Sequence, residues 1–190
     1  MDLFSQTGAY LRGHFRLTSG LHSGEYLQCA KVLTHPAVAE RLGHELAAAV
    51  KPLVDGRNVD LVVSPAIGGL IIGHEVARAL GAQFFFAERD ATANEMTLRR
   101  GFEITAGQIV VVIEDVVTTG GSTREVVDLA RAAGAVVVAA GSIIDRSNGG
   151  ADVGAPRIAL VTLNPVAWKQ EECPLCAAGE PVVKPGSRRT

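Results

Sequence analysis

Strong charge of either sign is missing from this chain. Its 190 residues carry 18 Lys and Arg against 20 Asp and Glu, a formal net charge of −2. That balance leaves no electrostatic footprint for nucleic acid. Long hydrophobic runs are missing too. No apolar stretch approaches the roughly 20 residues that cross a bilayer as a helix, so no membrane partner is expected. Cysteine is scarce: Cys29, Cys173 and Cys176 are too few for a disulfide framework. The opening residues, MDLFSQTGAY, lack the basic region and apolar stretch of a secretory signal. The expected setting is reducing and cytoplasmic. Two familiar phosphate motifs are also absent. Without G-x-x-x-x-G-K-[ST], a Walker-type NTPase is not indicated, and without G-x-G-x-x-G after a strand, neither is a dinucleotide fold.

The composition that remains is 47% hydrophobic, with 21 glycines and abundant alanine. This fits a compact α/β enzyme rather than a fibrous or disordered chain. The length suits one domain with a substantial core.

The most informative stretch is residues 108–125, QIVVVIEDVVTTGGSTRE. Ile109, Val110, Val111, Val112 and Ile113 are all β-branched, as in a strand buried on both faces of a parallel sheet. The run stops at Glu114 and Asp115. Val116 and Val117 follow, then a small-residue loop, Thr118-Thr119-Gly120-Gly121-Ser122. A helical stripe of Val126, Leu129, Ala130 and Ala133 comes next. In an open parallel sheet, ligands bind beyond the carboxyl ends of strands. A Gly/Ser/Thr loop at a helix N-terminus offers backbone N–H groups to a phosphate. Two carboxylates one step earlier suit vicinal sugar hydroxyls, so the pattern points to a phosphorylated sugar and a hydrated Mg²⁺. The competing structural reading is a capping box between Ser122 and Glu125. That reading leaves the acid pair at the end of an apolar strand unexplained, since acids are rarely buried alone.

Elsewhere, residues 2–12 suggest a helix anchored by Leu3, Phe4, Tyr10 and Leu11 and ended by Gly13. Residues 14–28 suggest two short strands around a Ser/Gly turn, read as a simple cap or as a hood over a ligand. His35-Pro36 opens a helix with a stripe through Val50. A buried strand, residues 59–63, runs into Ser64-Pro65-Ala66-Ile67-Gly68-Gly69 and a further helix. This loop reads equally as a second anion site or as a tight turn. Residues 83–87 form a third strand. Residues 88–101 carry Arg89, Arg99 and Arg100 and read as a mobile lid or a solvated hairpin. Residues 135–144 form a fifth strand that ends in Asp145-Arg146. This Arg is placed for a bidentate contact with a planar anion, or for a surface pair with Asp145. Cys173 and Cys176 have the spacing of half a zinc site. Cys29 and the histidines show no matching spacing, and two packed or free thiols are the favoured reading.

The thirteen residues 110–122, VVVIEDVVTTGGS, resemble the phosphoribosyl pyrophosphate (PRPP) signature of the type I phosphoribosyltransferases. The likeness extends over nearly the whole chain. Residues 8–28 resemble the hood of the branch whose acceptor is orotate. Residues 64–69 fall at its pyrophosphate loop, and Asp145-Arg146 at its orotate-recognising Arg. The resemblance implies an α/β fold with a mainly parallel central sheet flanked by helices and a small N-terminal hood. It implies a single domain over residues 1–190, with the hood at about 1–35 plus a C-terminal segment and the core at about 36–163. The implied reaction is transfer of phosphoribose from PRPP to N1 of orotate, giving orotidine 5′-monophosphate and pyrophosphate in de novo pyrimidine synthesis. Glu114 and Asp115 are then expected on the ribose hydroxyls, the backbone of Thr118 to Ser122 on the 5′-phosphate, and Val116 and Val117 within the PRPP-binding stretch. Ile67, Gly68 and Arg89 are expected near pyrophosphate, and Thr118 and Arg146 on orotate. Catalytic roles fall to Glu114, Asp115 and Arg89. Mg²⁺ is expected to be held mainly through PRPP and water, with Asp115 the candidate protein contact. A homodimer is implied, its lid reaching into the neighbouring site.

The chain departs from the family pattern at its lysines. Thr18 replaces a hood Lys, Ile67-Gly68 stands in the pyrophosphate loop, and the lid offers arginines without Lys or His. Arginine neutralises charge but does not give up a proton, its pKa lying above about 12. Electrostatic departure of pyrophosphate is therefore expected. The alternatives are a phosphoribosyltransferase for another base and a PRPP-sensing regulatory protein without turnover.

Overall fold

A computed structural model describes residues 2–17, 19–163 and 165–185, with only the backbone at Asp2 and Leu3. The chain divides into two compact units. One comprises Met1–Val32 and Asn164–Thr190, the other Leu33–Leu163.

In the first unit, α1 (Asp2–Gln6) precedes the antiparallel strands β1 (Tyr10–Arg16) and β2 (His22–Leu27). The helix is shorter than its apolar positions suggested. Tyr10 and Leu11 belong to β1, where they pair with Leu27 and Tyr26. Pairing satisfies their backbone groups more fully than a frayed last turn. Helix α2 (Cys29–Leu33) follows. From the C-terminal segment, β9 (Ala167–Trp168) adds to β2, so the three-stranded sheet runs β1-β2-β9. A 3₁₀ turn (Gln170–Glu172) and α6 (Pro174–Ala177) complete this unit.

The second unit opens with α3 (Pro36–Val54), with Pro36 at the first turn and Pro52 tolerated in the last. Asp55 closes it in a left-handed conformation. The elements that follow are β3 (Leu61–Pro65), α4 (Gly69–Leu80), β4 (Gln83–Arg89), β5 (Met96–Leu98), β6 (Ile109–Val117), α5 (Gly121–Ala132), β7 (Val136–Asp145) and β8 (Arg157–Thr162). Three strands run beyond their expected ends along parallel neighbours, and β4 likewise continues to Arg89 beside β5. β3 includes Ser64 and Pro65, β6 passes through the acid pair to Val117, and β7 includes Asp145. Each of these three is held by a parallel neighbour, for example Glu114↔Ser142 and Val117↔Asp145.

The sheet order is β5-β4-β3-β6-β7-β8. All neighbours are parallel except β4 and β5. Alternate residues of the central strands serve opposite faces. Leu61, Val63, Val110 and Val112 pack with Val126, Val127 and Ala130 of α5. On the other face, Ile113 lies with Leu46 and Val50 of α3 around Gly141. Helices α3 and α4 approach closely because Gly43 faces Glu75, where an added β-carbon would come 2.5 Å from the Glu75 Cβ and 2.8 Å from its backbone carbonyl carbon.

Residues 88–101 form a tied hairpin. Ala87, Glu88 and Arg89 pair with Leu98, Thr97 and Met96. Asp90 Oδ1 accepts the N–H groups of Thr92 and Ala93, and Asn94 takes φ 56. A polar sequence without clear periodicity conceals such a turn, since the Asp side chain, not an apolar pattern, organises it.

Candidate active site

Strand β3 connects through α4 to β4 on its left, whereas β6 connects through α5 to β7 on its right. The chain therefore reverses direction across the sheet between β3 and β6, the point at which such folds form their ligand crevice, beyond the strands' carboxyl ends. Two loops border it, residues 66–68 after β3 and residues 118–120 after β6.

The loops meet at Gly68 and Asp115. A β-carbon on Gly68 would lie 2.5 Å from Asp115 Oδ1. Next to it, Gly69 packs on the Ile113 carbonyl and on Ser64, and its β-carbon would stand 3.4 Å from Glu114 Oε1. Glycine at both positions lets the β3 loop lie directly on the acid pair. Ala66-Ile67 is a cis peptide. Ile67 is 83% exposed.

Glu114 is buried and Asp115 half-buried. Glu114 Oε1 accepts the Asp115 N–H at 3.1 Å, and Asp115 Oδ1 accepts the Val116 N–H at 2.8 Å. Burial, then the adjacent Asp115 charge, pushes the Glu114 carboxyl well above its ordinary range. The pair thus sets a buried carboxyl group beside a half-buried one.

Beyond Val117, Thr118 and Thr119 are exposed and Gly120 is buried. Gly120 caps α5 with φ 83, and a β-carbon there would press on Val153 and Ala151 at 3.0 and 3.1 Å. No side chain caps this helix, and its first turn holds no acid. The competing capping-box reading is therefore not met, because Ser122 already lies within the helix and Glu125 pairs elsewhere. The first backbone bond at this end runs from Arg124 N–H to Gly120 O. The preceding N–H groups face the crevice end of the helix, suited to an anion.

Arg89 stands at the end of β4. Its guanidinium donates to Asn94 O at 2.5 Å and to Glu125 Oε1 of α5 at 3.0 Å. Arg100 instead makes a two-point contact with Glu88, at 2.9 and 3.0 Å, and lies over the Phe86 ring. The expected lid arginines are thus divided between α5 and the hairpin itself. Arg146 follows β7, is half-buried, and anchors its N–H on Val117 O at 2.8 Å. This tie brings it next to the start of the β6 loop. Thr18 lies outside the described residues.

Asp145 does not pair with Arg146. It is buried and takes the Arg157 guanidinium at 2.9 Å. It also accepts Ser147 N–H at 2.7 Å, Ser147 Oγ–H at 2.6 Å and Gly149 N–H at 3.0 Å. Burial pushes its carboxyl up, but the hydrogen bonds from Ser147, Arg157 and Gly149 outweigh it and hold the pKa at about 2. Asp145 therefore fixes the loop that carries Arg146. Arg157 is the positioning partner that spacing alone does not reveal, although an acid ending a buried strand requires one.

A family model described as phosphoribosyl transferase domain matches residues 29–175. The chain is 51% identical to orotate phosphoribosyltransferase of Heliobacterium modesticaldum over 99% of its own length and 96% of that protein's. It is 52% identical to orotate phosphoribosyltransferase of Pelotomaculum thermopropionicum over 98% and 95%. Among solved structures, orotate phosphoribosyltransferase from Aeropyrum pernix superposes with a TM-score of 0.69 at 25% identity, covering 85% of this chain and 92% of that one. The chain belongs to the phosphoribosyl transferase family, in its orotate phosphoribosyltransferase branch.

Proposed function

We propose that the chain transfers ribose 5-phosphate from PRPP to N1 of orotate with the aid of Mg²⁺, releasing orotidine 5′-monophosphate and pyrophosphate in pyrimidine nucleotide synthesis. The observation that carries this reading is the abutment of Gly68 on Asp115. It joins a small-residue anion loop to a carboxylate at one point, as a sugar bearing phosphate at one end and pyrophosphate at the other requires.

In this reading the N–H groups of Thr118, Thr119, Gly120, Gly121 and Ser122 bind the 5′-phosphate. Val116 and Val117 set the height of that loop above the sheet. Glu114 and Asp115 hold the ribose hydroxyls. Backbone at Ile67 and Gly68 faces the pyrophosphate. Thr118 and Arg146 hold orotate, whose carboxylate matches a guanidinium fork. The sugar carbon develops positive charge as its bond to pyrophosphate lengthens. The Asp115 carboxylate, preorganised by its bond from Val116 N–H, favours that charge. Arg89 supplies positive charge for the departing group after leaving Glu125, and does so without proton transfer.

The donor set fits Mg²⁺ bound through substrate. Of the acid pair Asp115 is the half-buried, more accessible member, and Mg²⁺ bound by few carboxylates keeps waters and substrate oxygens as its other ligands. Asp115 would contact it, and when bound it would neutralise the pyrophosphate oxygens. The two compact units act as one phosphoribosyltransferase domain, in the cytoplasm and as a homodimer. No helix among the described residues is long and apolar enough to cross a membrane.

The test is loss of orotate ultraviolet absorbance with PRPP and Mg²⁺, with uracil, hypoxanthine and adenine as controls. Loss that requires both PRPP and Mg²⁺ is expected. Turnover of another base instead would move the assignment within the family. PRPP binding without turnover of any base would favour a sensor.

A further inference from the structure

Four side chains converge at a place remote in sequence from every group used above. Their ligand atoms, from His14, His22, Cys173 and Cys176, all lie within 4.8 Å of one another. All four residues belong to the unit formed by Met1–Val32 and Asn164–Thr190. His14, His22 and Cys173 are buried, and Cys176 is partly so.

The backbone brings them together by three devices. Between Arg12 and Phe15 the β1–β2 register slips by one residue. Such a bulge re-aims a side chain, and His14 and Phe15 are both buried as a result. His22 starts β2 and pairs with Trp168 of β9, which delivers the C-terminal segment to the hairpin. Cys173 then caps α6, and Cys176 lies one turn later. Further along, Val183 N–H bonds to His14 O, and Arg16 N–H to Val183 O.

Hydrogen bonding alone does not satisfy this cluster. His14 Nδ1 lies 2.8 Å from the Glu180 carbonyl. A carbonyl only accepts, so Nδ1 carries the proton and Nε2 of the neutral ring presents one lone pair. Three atoms crowd that lone pair: His22 Nδ1 at 2.8 Å, Cys173 Sγ at 3.5 Å and Cys176 Sγ at 3.6 Å. Cys176 Sγ also lies 3.2 Å from His22 Nδ1. One lone pair serves one donor, whereas a cation among the four atoms engages all of them. Metal–nitrogen bonds of about 2.0 Å and metal–sulfur bonds of about 2.3 Å give tetrahedral nitrogen–sulfur edges of roughly 3.6 Å, against 3.5, 3.6 and 3.2 Å for the three nitrogen–sulfur pairs above. The Glu180 carbonyl on His14 Nδ1 is the outer contact that metal-bound imidazoles commonly make.

We propose that His14, His22, Cys173 and Cys176 bind one Zn²⁺ in a structural site that fastens the C-terminal segment to the β1–β2 hairpin. Two thiolates and two imidazoles in tetrahedral array select Zn²⁺ over the hard, oxygen-preferring Mg²⁺. Four protein ligands leave no open position, so the role is structural, not catalytic. The sequence concealed the site because one half is a Cys-x-x-Cys and the other a pair of histidines some 150 residues earlier, brought together by the β2–β9 pairing and by backbone bonds from Val183 to the β1 strand.

Protein purified under reducing conditions without added chelator is expected to hold about one zinc per chain by elemental analysis. Replacing it with Co²⁺ is expected to give the visible absorption of a tetrahedral ion and a thiolate-to-metal band. In Cys173→Ser and Cys176→Ser, metal affinity should fall by about 10-fold or more. Should these variants fail to fold, the wild-type chain still decides the matter. Titration with a mercurial in the presence of a zinc indicator should release the metal as these two thiols react. Reduced protein with no zinc and no thiolate-to-cobalt band would overturn the proposal. So would zinc retained in full by both variants, thiol modification that releases none, or a Cys173–Cys176 disulfide with no metal uptake after reduction.

Discussion

Gly68 leaves no room for a side chain above Asp115. Its missing β-carbon would stand 2.5 Å from Oδ1, 2.9 Å from Cγ and 3.0 Å from Oδ2 of that carboxylate. Gly68→Ala must therefore push either the loop or the carboxylate out of place. Displacement of about 1 Å at reacting groups costs on the order of 100-fold in rate. We expect kcat/KM for PRPP to fall by about that factor, with the melting temperature little changed because the loop is exposed. Full activity in Gly68→Ala would detach the two loops from each other functionally.

Glu114 makes the unliganded protein sensitive to alkali. In acid it is protonated whether the chain is folded or unfolded. As pH rises past the ordinary carboxylate range, the unfolded chain releases the proton while the folded one retains it, because burial and Asp115 raise the folded pKa. Stability is thus lost as pH rises toward the folded value. Glu114→Gln should melt at a higher temperature than wild type near pH 8 and at the same temperature near about pH 4. Calorimetric scans across that interval check the sign.

Asp145 behaves in the opposite sense. Its pKa falls from 3.8 to about 2 on folding, so it stabilises the fold above pH 4 and that contribution disappears as pH drops toward 2. Asp145→Asn should lose about 2 kcal/mol at neutral pH, read from urea unfolding, and converge on wild type in acid. The loop carrying Arg146 should loosen in the same variant, raising the KM for orotate.

Arg146 distinguishes orotate from PRPP. A charge-assisted hydrogen bond contributes about 1.5–3 kcal/mol, so Arg146→Ala should raise the KM for orotate by roughly 10-fold to 100-fold. The KM for PRPP should move much less. Equal losses for both substrates would remove Arg146 from base recognition.

Arg89 should matter for rate and not for stability. Its bond to Glu125 joins two side chains that are each more than a third exposed, 36% and 41%, and such pairs contribute little. Arg89→Ala is expected to lower kcat while the unfolding midpoint stays put. Unchanged kcat would exclude it from the pyrophosphate role.

The βα plan and the Gly/Thr loop were legible from the chain because their signals are local. β-branched runs specify buried strands, apolar stripes specify helices, and glycine marks loops where backbone must approach closely. The hairpin at residues 88–101 was obscure because a carboxylate and hydrogen bonds organise it. The helix expected over residues 2–12 gave way to β1 because a partner strand was available, and pairing overrides local preference.

By itself, the sequence determined the alternation of buried strands and helices, the acid pair that follows the apolar run of β6 and the small-residue loop after it, since each follows from nearest neighbours and periodicity. Only tertiary structure decided that Asp145 serves Arg157 and not Arg146, that Gly68 rests on Asp115, and that two histidines meet two cysteines. Those pairings join residues from separate strands and loops. Their partners are set by strand order, register and a bulge, which bring distant side chains within a few ångströms and which no local spacing encodes.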